Sequence, residues 1–290
     1  MKTFIRFYFI LVFTCLFLIA QVCMAVDDTL VLHFTFDEGA GKVVTDDSIY
    51  LNNGNFKANP KWVDGKFGKA LSFNAGDSVE IPGSDSLDIT KAITMEMWVK
   101  LSGGAEIKQA GIEKGGWEVG EYSIYPVYEG GTAIQFFDLP GACGDAAIRG
   151  KSIQDGEWHY FAGTWDGSYM RVYVDCQKEG EVAWTCPPAS TTNNLGIGKR
   201  LSGWGGYMPF LGNIDEVRIY SSGRKCGDVN ADGTINVNDV VYLINYLFVP
   251  GSPAPIPLLA GDANCDGAVN VNDVVYLINF LFISGPPPCY

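Results

Sequence analysis

Two periodicities divide the chain. From Val26 to about Arg224, apolar and polar residues alternate in short runs separated by turn residues. LVLHFTF (30–36), ALSF (70–73), ITMEMWVKL (93–101), EWHYFAGTW (157–165), YMRVYVD (169–175) and NIDEVRIY (213–220) all predict strands. In ITMEMWVKL, Ile93, Met95, Met97, Val99 and Leu101 fall on one face and mostly polar residues on the other, as in a half-buried strand of an antiparallel sheet. Asp166-Gly167 between two such runs is a hairpin signal. No helix of ordinary length is visible in this region. Many short strands predict a mainly β fold, an antiparallel sandwich of two sheets.

After Cys226 the period changes to that of a helix, and the chain repeats itself. GDVNADGTINVNDVVYLINYLF from Gly227 returns at Gly261 as GDANCDGAVNVNDVVYLINFLF, with 17 of 22 positions identical at a spacing of 34. In each copy Val240, Leu243, Ile244 and Leu247, or Val274, Leu277, Ile278 and Leu281, recur at i, i+3, i+4 and i+7. Each predicted helix therefore has one apolar face, and the two can cover each other. The connector VPGSPAPIPLLA between the copies is proline-rich and semi-rigid.

Ahead of each helix lies a 12-residue loop with oxygen side chains at positions 1, 3, 5, 9 and 12. They are Asp228, Asn230, Asp232, Asn236 and Asp239 in the first copy, and Asp262, Asn264, Asp266, Asn270 and Asp273 in the second. Gly233 and Gly267 occupy position 6, where the sharp turn is needed, and Thr234 and Ala268 at position 7 offer a carbonyl. That is the ligand order of an EF-hand calcium loop with Asp in place of Glu at position 12. Hard oxygens in a flexible, many-ligand loop predict calcium, one ion per loop. An Asx-rich turn without metal is the alternative, and charge argues against it. From Cys226 to Tyr290 there are six acids, all at loop positions 1, 5 and 12, and no Lys, Arg, His or Glu. Three carboxylates converging with nothing basic nearby repel one another.

The N-terminus sets the compartment. Lys2 and Arg6 precede an uncharged run from Phe7 to Ala20, and a small residue ends the segment at Ala25. Residues 1–25 thus predict a secretory signal peptide cleaved after Ala25. As a retained anchor the run of 14 is short, because a spanning helix needs about 20 residues. The expected mature protein is secreted, soluble and without a membrane partner. Cleavage removes two bases and no acid, taking the net charge from −13 to −15. This argues against polyanionic partners such as nucleic acid.

Six cysteines remain: Cys143, Cys176, Cys186, Cys226, Cys265 and Cys289. No C-x-x-C pair occurs and the chain has two histidines, so zinc is not indicated. Export makes disulfides the expectation. Cys176–Cys186 on one predicted hairpin and Cys226–Cys289 bracketing the C-terminal region are the favoured pairs. A 60-odd-residue loop closed by the second is stabilised by roughly 4 kcal/mol in chain-entropy terms.

The repeated loop-helix segment resembles the type I dockerin over the whole stretch 225–290, with repeats at 227–248 and 261–282. A calmodulin-like sensor fits less well, because no helix precedes either loop. The dockerin resemblance implies a cohesin partner read by loop positions 10 and 11, here Val237, Asn238, Val271 and Asn272, with Asn245 and Asn279 on the helices. Since both copies carry the same residues there, either unit is expected to present the same surface. Residues 26–224 resemble the LamG-like, concanavalin-type jelly roll. The resemblance is carried by FDEGAG (36–41), GKFGKALSFN (65–74), MEMWVK (95–100), DGEWHYFAGTWDG (155–167), RVYVD (171–175) and FLGNIDEVRIY (210–220). It implies the fold, and a structural calcium near Asp46, Asn52 and Asp215. An Asx-rich loop without an ion competes with that reading.

The jelly roll shows no catalytic constellation. Sandwich glucanases hold paired carboxylates on one face of a strand in an E-x-D-x-E arrangement, which this chain lacks. Asp215 and Glu216 are adjacent and are expected on opposite faces. Trp98, Trp158 and Trp165 within strands are expected in the core. Trp117, Trp184, Trp204 and Tyr207 in loops are candidates for stacking on a sugar. The expectation is a non-catalytic secreted protein whose jelly roll binds a carbohydrate or surface and whose C-terminal module docks it to a cohesin. A glycoside hydrolase component and a structural adhesion protein are the alternatives.

Overall fold

The computed structural model describes residues 29–103, 108–115, 122–136, 146–175, 177–201, 208–222, 227–230, 234–253, 255, 258–264 and 268–288. The predicted signal peptide lies outside them. Strands β1–β17, numbered in chain order, form two antiparallel sheets. The first contains β1 (Leu30–Phe34), β4 (Lys61–Asp64), β5 (Lys69–Phe73), β7 (Ile93–Leu101), β13 (Trp158–Trp165), β14 (Tyr169–Val174), β15 (Gln177–Ala183) and β17 (Gly212–Tyr220). Its order is β15-β14-β13-β7-β17-β5-β4, with β1 also on β17. The second contains β2 (Val43–Val44), β3 (Gly54–Lys57), β6 (Ser78–Ile81), β8 (Lys108–Gln109), β9 (Ile112–Lys114), β10 (Tyr122–Tyr128), β11 (Gly131–Phe136), β12 (Ala146–Arg149) and β16 (Leu195–Ile197). Its order is β12-β11-β10-β9-β16-β6-β3-β2, with β8 on β10.

All six predicted strands form. The inward side chains of β7 (Ile93, Met95, Met97, Val99 and Leu101) meet Ile112, Ile124 and Ile134 of the other sheet in one core. Asp166-Gly167 makes the β13–β14 hairpin: Gly167 has φ 91°, and Asp166 Oδ1 accepts from the backbone N–H of Ser168 and Tyr169, each at 2.8 Å. Burying the outer face of β7 is where the strand departs from expectation, since Glu96 is 1% exposed.

Two α-helices follow, α1 (Val237–Phe248) and α2 (Val271–Phe282). Before the second loop there is one short 3-10 turn, Leu258–Gly261. The helices share a small core of Val229, Val240, Leu243, Ala263, Val274 and Leu277. Ile244, expected in the buried stripe, is instead 38% exposed. The buried arc is turned toward the loops by Asp239, which sits in it beside Val240 and Leu243.

Candidate functional site

Each loop hands its chain to a helix through a reciprocal cap. Asn236 Oδ1 accepts from Asn238 N at 2.8 Å, while Asp239 Oδ2 accepts from Asn236 N at 2.7 Å. In the second copy the corresponding distances are 2.9 Å from Asn272 N and 2.8 Å from Asn270 N. Position 12 also folds the loop: Asp239 Oδ1 accepts from Asn230 N, and Asp273 Oδ1 from Asn264 N, both at 3.1 Å. Thus positions 9 and 12 serve as helix cap as well as candidate ligands. Asn236 Nδ2 reaches the Thr234 carbonyl at 3.3 Å, and Asn270 Nδ2 reaches that of Ala268 at 2.9 Å.

Burial of the acids decides what the loops can hold. Asp239 and Asp273 are 0% exposed, Asp228 4% and Asp262 1%. An isolated buried carboxylate costs several kcal/mol, and residues 226–290 contain no Lys, Arg or His to offset it. Oxygen donors around buried negative charge fit a hard divalent cation. Among the described residues no three acids, histidines or cysteines converge; the third acid of each loop, Asp232 or Asp266, lies outside them.

The helices present an apolar surface. Val237 and Val271 are each 51% exposed, and Asn238, Asn272 and Asn245 are exposed, while Asn279 is half-buried. Reasoning from sequence missed four neighbours on these faces: Val241 and Val275 (each 51% exposed), Phe248 (63%) and Phe282 (66%). Their signal was available, as apolar residues outside the core stripe at i+4 and i+11 from Val237 and Val271.

In the sandwich, one expectation is overturned by a bulge. Asp215 pairs with Trp98 but Arg218 pairs with Glu96, so β17 carries one extra residue, and Glu216 has φ 51°. Asp215 and Glu216 therefore share the outer face rather than pointing apart. Asp215 is sealed from solvent (0% exposed), and its Oδ2 accepts from Phe67 N at 2.9 Å. A Cβ on Gly65 would lie 2.6 Å from that oxygen, so this turn requires glycine. Burial, with the charge of Glu216, raises the Asp215 carboxyl to about 6. Burial also works to raise Glu216, but the hydrogen bond from His33 and the charge of Arg218 outweigh it and hold the carboxyl below its ordinary range.

The residues expected around a sandwich calcium divide into two sets. Asp46 accepts from His33 N (2.8 Å), Ser48 N (2.9 Å), Ser48 Oγ (2.7 Å) and Asn52 N (2.6 Å). Asn52 in turn bonds the Val31 carbonyl and Ser84. The contacts of Asp215 are with the turn at Phe67. The first set is an Asx hub that satisfies itself through backbone donors.

The tryptophans are redistributed. Trp165 is core, 2% exposed, but Trp98 lies on the outer face under Lys66 Nζ, 4.5 Å from its ring. Trp184, a candidate stacking ring, packs against the inter-sheet core instead. Trp117, Trp204 and Tyr207 lie outside the described residues. At the same outer face, an open cleft of about 390 Å³ is lined by Lys100, Ser102, Gln154, Asp155 and Asn213. Lys100 is flanked in register by Trp158 and Asn213. No periodicity announces such a cleft, because its residues come from three distant segments.

The outer face of the other sheet holds a closed polar cluster. Arg200 Nε contacts Glu113 Oε1 at 2.5 Å, and Tyr125 Oη donates to Glu113 Oε2 at 2.9 Å. Burial raises the Glu113 carboxyl to about 7.

Cys186 is disulfide-bonded, but Cys176 does not fit as its partner. Trp184 N bonds Ser168 O at 2.7 Å, at the opposite end of β14 from Asp175. The seven residues of β15 separate the two cysteines; about 20 Å of strand exceeds the roughly 7 Å limit on Cα separation in a disulfide. Cys176 itself lies outside the described residues, as do Cys143, Cys226, Cys265 and Cys289.

Comparison with known families agrees with both regions. Residues 73–229 match the model of the concanavalin A-like lectin/glucanases superfamily, and residues 226–282 match the dockerin type I domain. The chain belongs to the concanavalin A-like lectin/glucanases superfamily and carries a type I dockerin in its C-terminal region. Type I dockerins generally bind calcium and pair with cohesins. No curated protein matches the chain.

Among solved structures, domain 4 of AbnA, an extracellular arabinanase from Geobacillus stearothermophilus in complex with arabinotriose, is 20% identical with a TM-score of 0.53, covering 68% of this chain and 94% of that one. The binding domain of Paraclostridial Mosquitocidal Protein 1 is 14% identical with a TM-score of 0.57, covering 75% and 53%. The binding domain of botulinum neurotoxin DC in complex with SialylT is 10% identical with a TM-score of 0.55, covering 71% and 51%. The chain thus spans about half the length of these two toxin domains. At such identities the likeness is one of fold. Among the described residues no helix is long and apolar enough to cross a membrane.

Proposed function

We propose that this is a secreted, non-catalytic binding protein. Its C-terminal module, residues 225–290, holds two calcium ions and docks to a cohesin, and its jelly roll, residues 26–224, binds carbohydrate. One observation carries the docking reading: two loops that bury acids without any base, each leading into a helix with exposed valines. The ions would be held by Asp228, Asn230, Asp232, Thr234, Asn236 and Asp239, and by Asp262, Asn264, Asp266, Ala268, Asn270 and Asp273. They neutralise the loop acids and so hold the helices in place. Contact between Gly227 and Pro288 supports Cys226–Cys289 as a covalent staple. Titration of the full chain with a panel of cohesins, with calcium and with chelator, tests this reading. Binding that persists unchanged in chelator would contradict it.

For the jelly roll, the cleft at Lys100 and Asn213 beside Trp158 offers donors, an acceptor and a ring, the mixture that holds a sugar. A glycan array with the wild type and a Lys100→Ala variant tests the assignment; equal signals from both would remove the cleft from it. Hydrolysis gains one observation, the shared face of Asp215 and Glu216. Against it, Asp215 is sealed from solvent and bonded to backbone. Reducing-end release that disappears in Glu216→Gln would reverse this conclusion.

A further inference from the structure

The two loop-helix units are near-copies in sequence but not in surface. On α1, Val237, Val241, Ile244, Asn245 and Phe248 lie at i, i+4, i+7, i+8 and i+11, one continuous exposed row. On α2 the ends of the corresponding row, Val271, Val275 and Phe282, are as exposed as their counterparts. Its middle is not: Ile278 and Asn279 are half-buried.

The cause is the chain that follows α2. Ser284 takes φ 56° and turns the backbone back. Gly285 N then donates to the Asn279 carbonyl at 2.9 Å. Gly285 lies so close that a Cβ there would stand 3.1 Å from Asn279 Cβ and 2.9 Å from its carbonyl carbon. Tyr276 Oη donates to the Pro287 carbonyl at 3.2 Å. Pro288 ends buried, against Gly227, where an added Cβ would be 2.7 Å from Pro288 Cγ. After α1, Val249 N caps Asn245 O at 2.8 Å, as Ile283 N caps Asn279 O at 3.0 Å after α2, but the connector leaves Asn245 exposed.

We infer that residues 284–288 form a strap across the middle of α2, and that the module seats its cohesin on the α1 face alone. The inference rests on the docking function proposed above. The repeat would then serve the fold, through two equivalent ion loops and a shared core, while the strap makes its surface one-sided. The partner-reading residues become Val237, Asn238, Val241, Asn245 and Phe248, and the matching residues of α2 stay unused.

The test is calorimetric titration of the full chain in calcium with a panel of cohesins. Val237→Asp with Val241→Asp is expected to weaken binding by about a hundredfold or more, as loss of a central apolar cluster does. Val271→Asp with Val275→Asp is expected to change it by less than about threefold. Asn245→Arg and Asn279→Arg, which exchange one polar group for another, are expected to rank the same way, and unchanged helical circular dichroism in calcium checks the fold of each. In the Val237→Asp, Val241→Asp background, Tyr276→Phe with Gly285→Leu loosens the strap and should restore binding about tenfold or more through α2. Equal losses of about twofold from either valine pair, the statistical factor for two equivalent faces, would overturn the inference, as would a larger loss from the α2 pair. If the wild type binds no cohesin, the docking function itself falls, a result distinct from binding with equivalent faces.

Discussion

The sandwich and the C-terminal module both bury carboxylates, and they neutralise them by opposite means. In the sandwich two buried glutamates have a basic partner within the fold: Glu113 lies against Arg200, and Glu96 lies 3.8 Å from Arg218, while Asp46 and Asp215 accept from backbone N–H groups. The module buries Asp228, Asp239, Asp262 and Asp273 in a stretch without a single base. A domain of the sandwich's size has an apolar core extensive enough to let it bury its own counter-charges on the outer faces of its sheets. A module of about 65 residues has little core to spare, and its oxygen-rich loops suit a cation drawn from solution. On the reading proposed above, the first region carries its own counter-charges and donors, and the second is completed by ions.

The largest effect should come from removing those ions. Chelator is expected to abolish the helical circular dichroism of the module and its melting transition, leaving the sandwich transition in place. A single transition insensitive to chelator would break the contrast, and Asp239→Ala with Asp273→Ala should reproduce chelation. Next in size is the internal pair of the sandwich. Arg200→Met leaves Glu113 buried without its cation and should lower the sandwich transition by about 3–5 kcal/mol of stability, whereas adding Glu113→Gln should recover much of the loss. No recovery would mean that packing, not charge, is what Arg200 supplies.

A smaller effect belongs to Asp215, whose carboxyl rises from 3.8 to about 6 on folding. The folded sandwich holds this proton more tightly than the unfolded chain does. Its stability should then decline as pH climbs between those values, with the full loss present above about 6. Asp215→Asn should flatten that part of the curve, and an unchanged slope would count against the burial described. The smallest effect is a matter of connectivity: peptide mapping without reduction should link Cys186 to a cysteine other than Cys176.

Much of this was legible in the sequence because it was written in a period. The six strands announced by alternation form, and of the loop acids announced by spacing, Asp228 and Asp262 are buried at the loop starts and Asp239 and Asp273 at the helix starts. Unannounced strands fail the period for physical reasons. YSIYPVY of β10 is buried at every residue, so it does not alternate, and QKEGEVA of β15 is an edge strand with mostly exposed residues. The Cys176–Cys186 expectation took a hairpin to bring its ends together, whereas β15 runs extended from Gln177 to Ala183 and carries Cys186 beyond its far end. The strap over α2 is invisible to the repeat itself, since it lies after the second copy.

The extra residue in β17 has a consequence for how the sandwich is spliced. Before the bulge, Gly212–Ile214 pair with β5; after it, Val217–Tyr220 pair with β1. One strand thus holds two neighbours end to end along the same edge, and Glu216 is the hinge pin where its in-and-out alternation is reset. Draw that one residue into regular pairing, flattening the bulge, and the parity of everything downstream inverts. Val217 and Ile219 would turn outward, and the guanidinium of Arg218 would point into the apolar seam between the sheets.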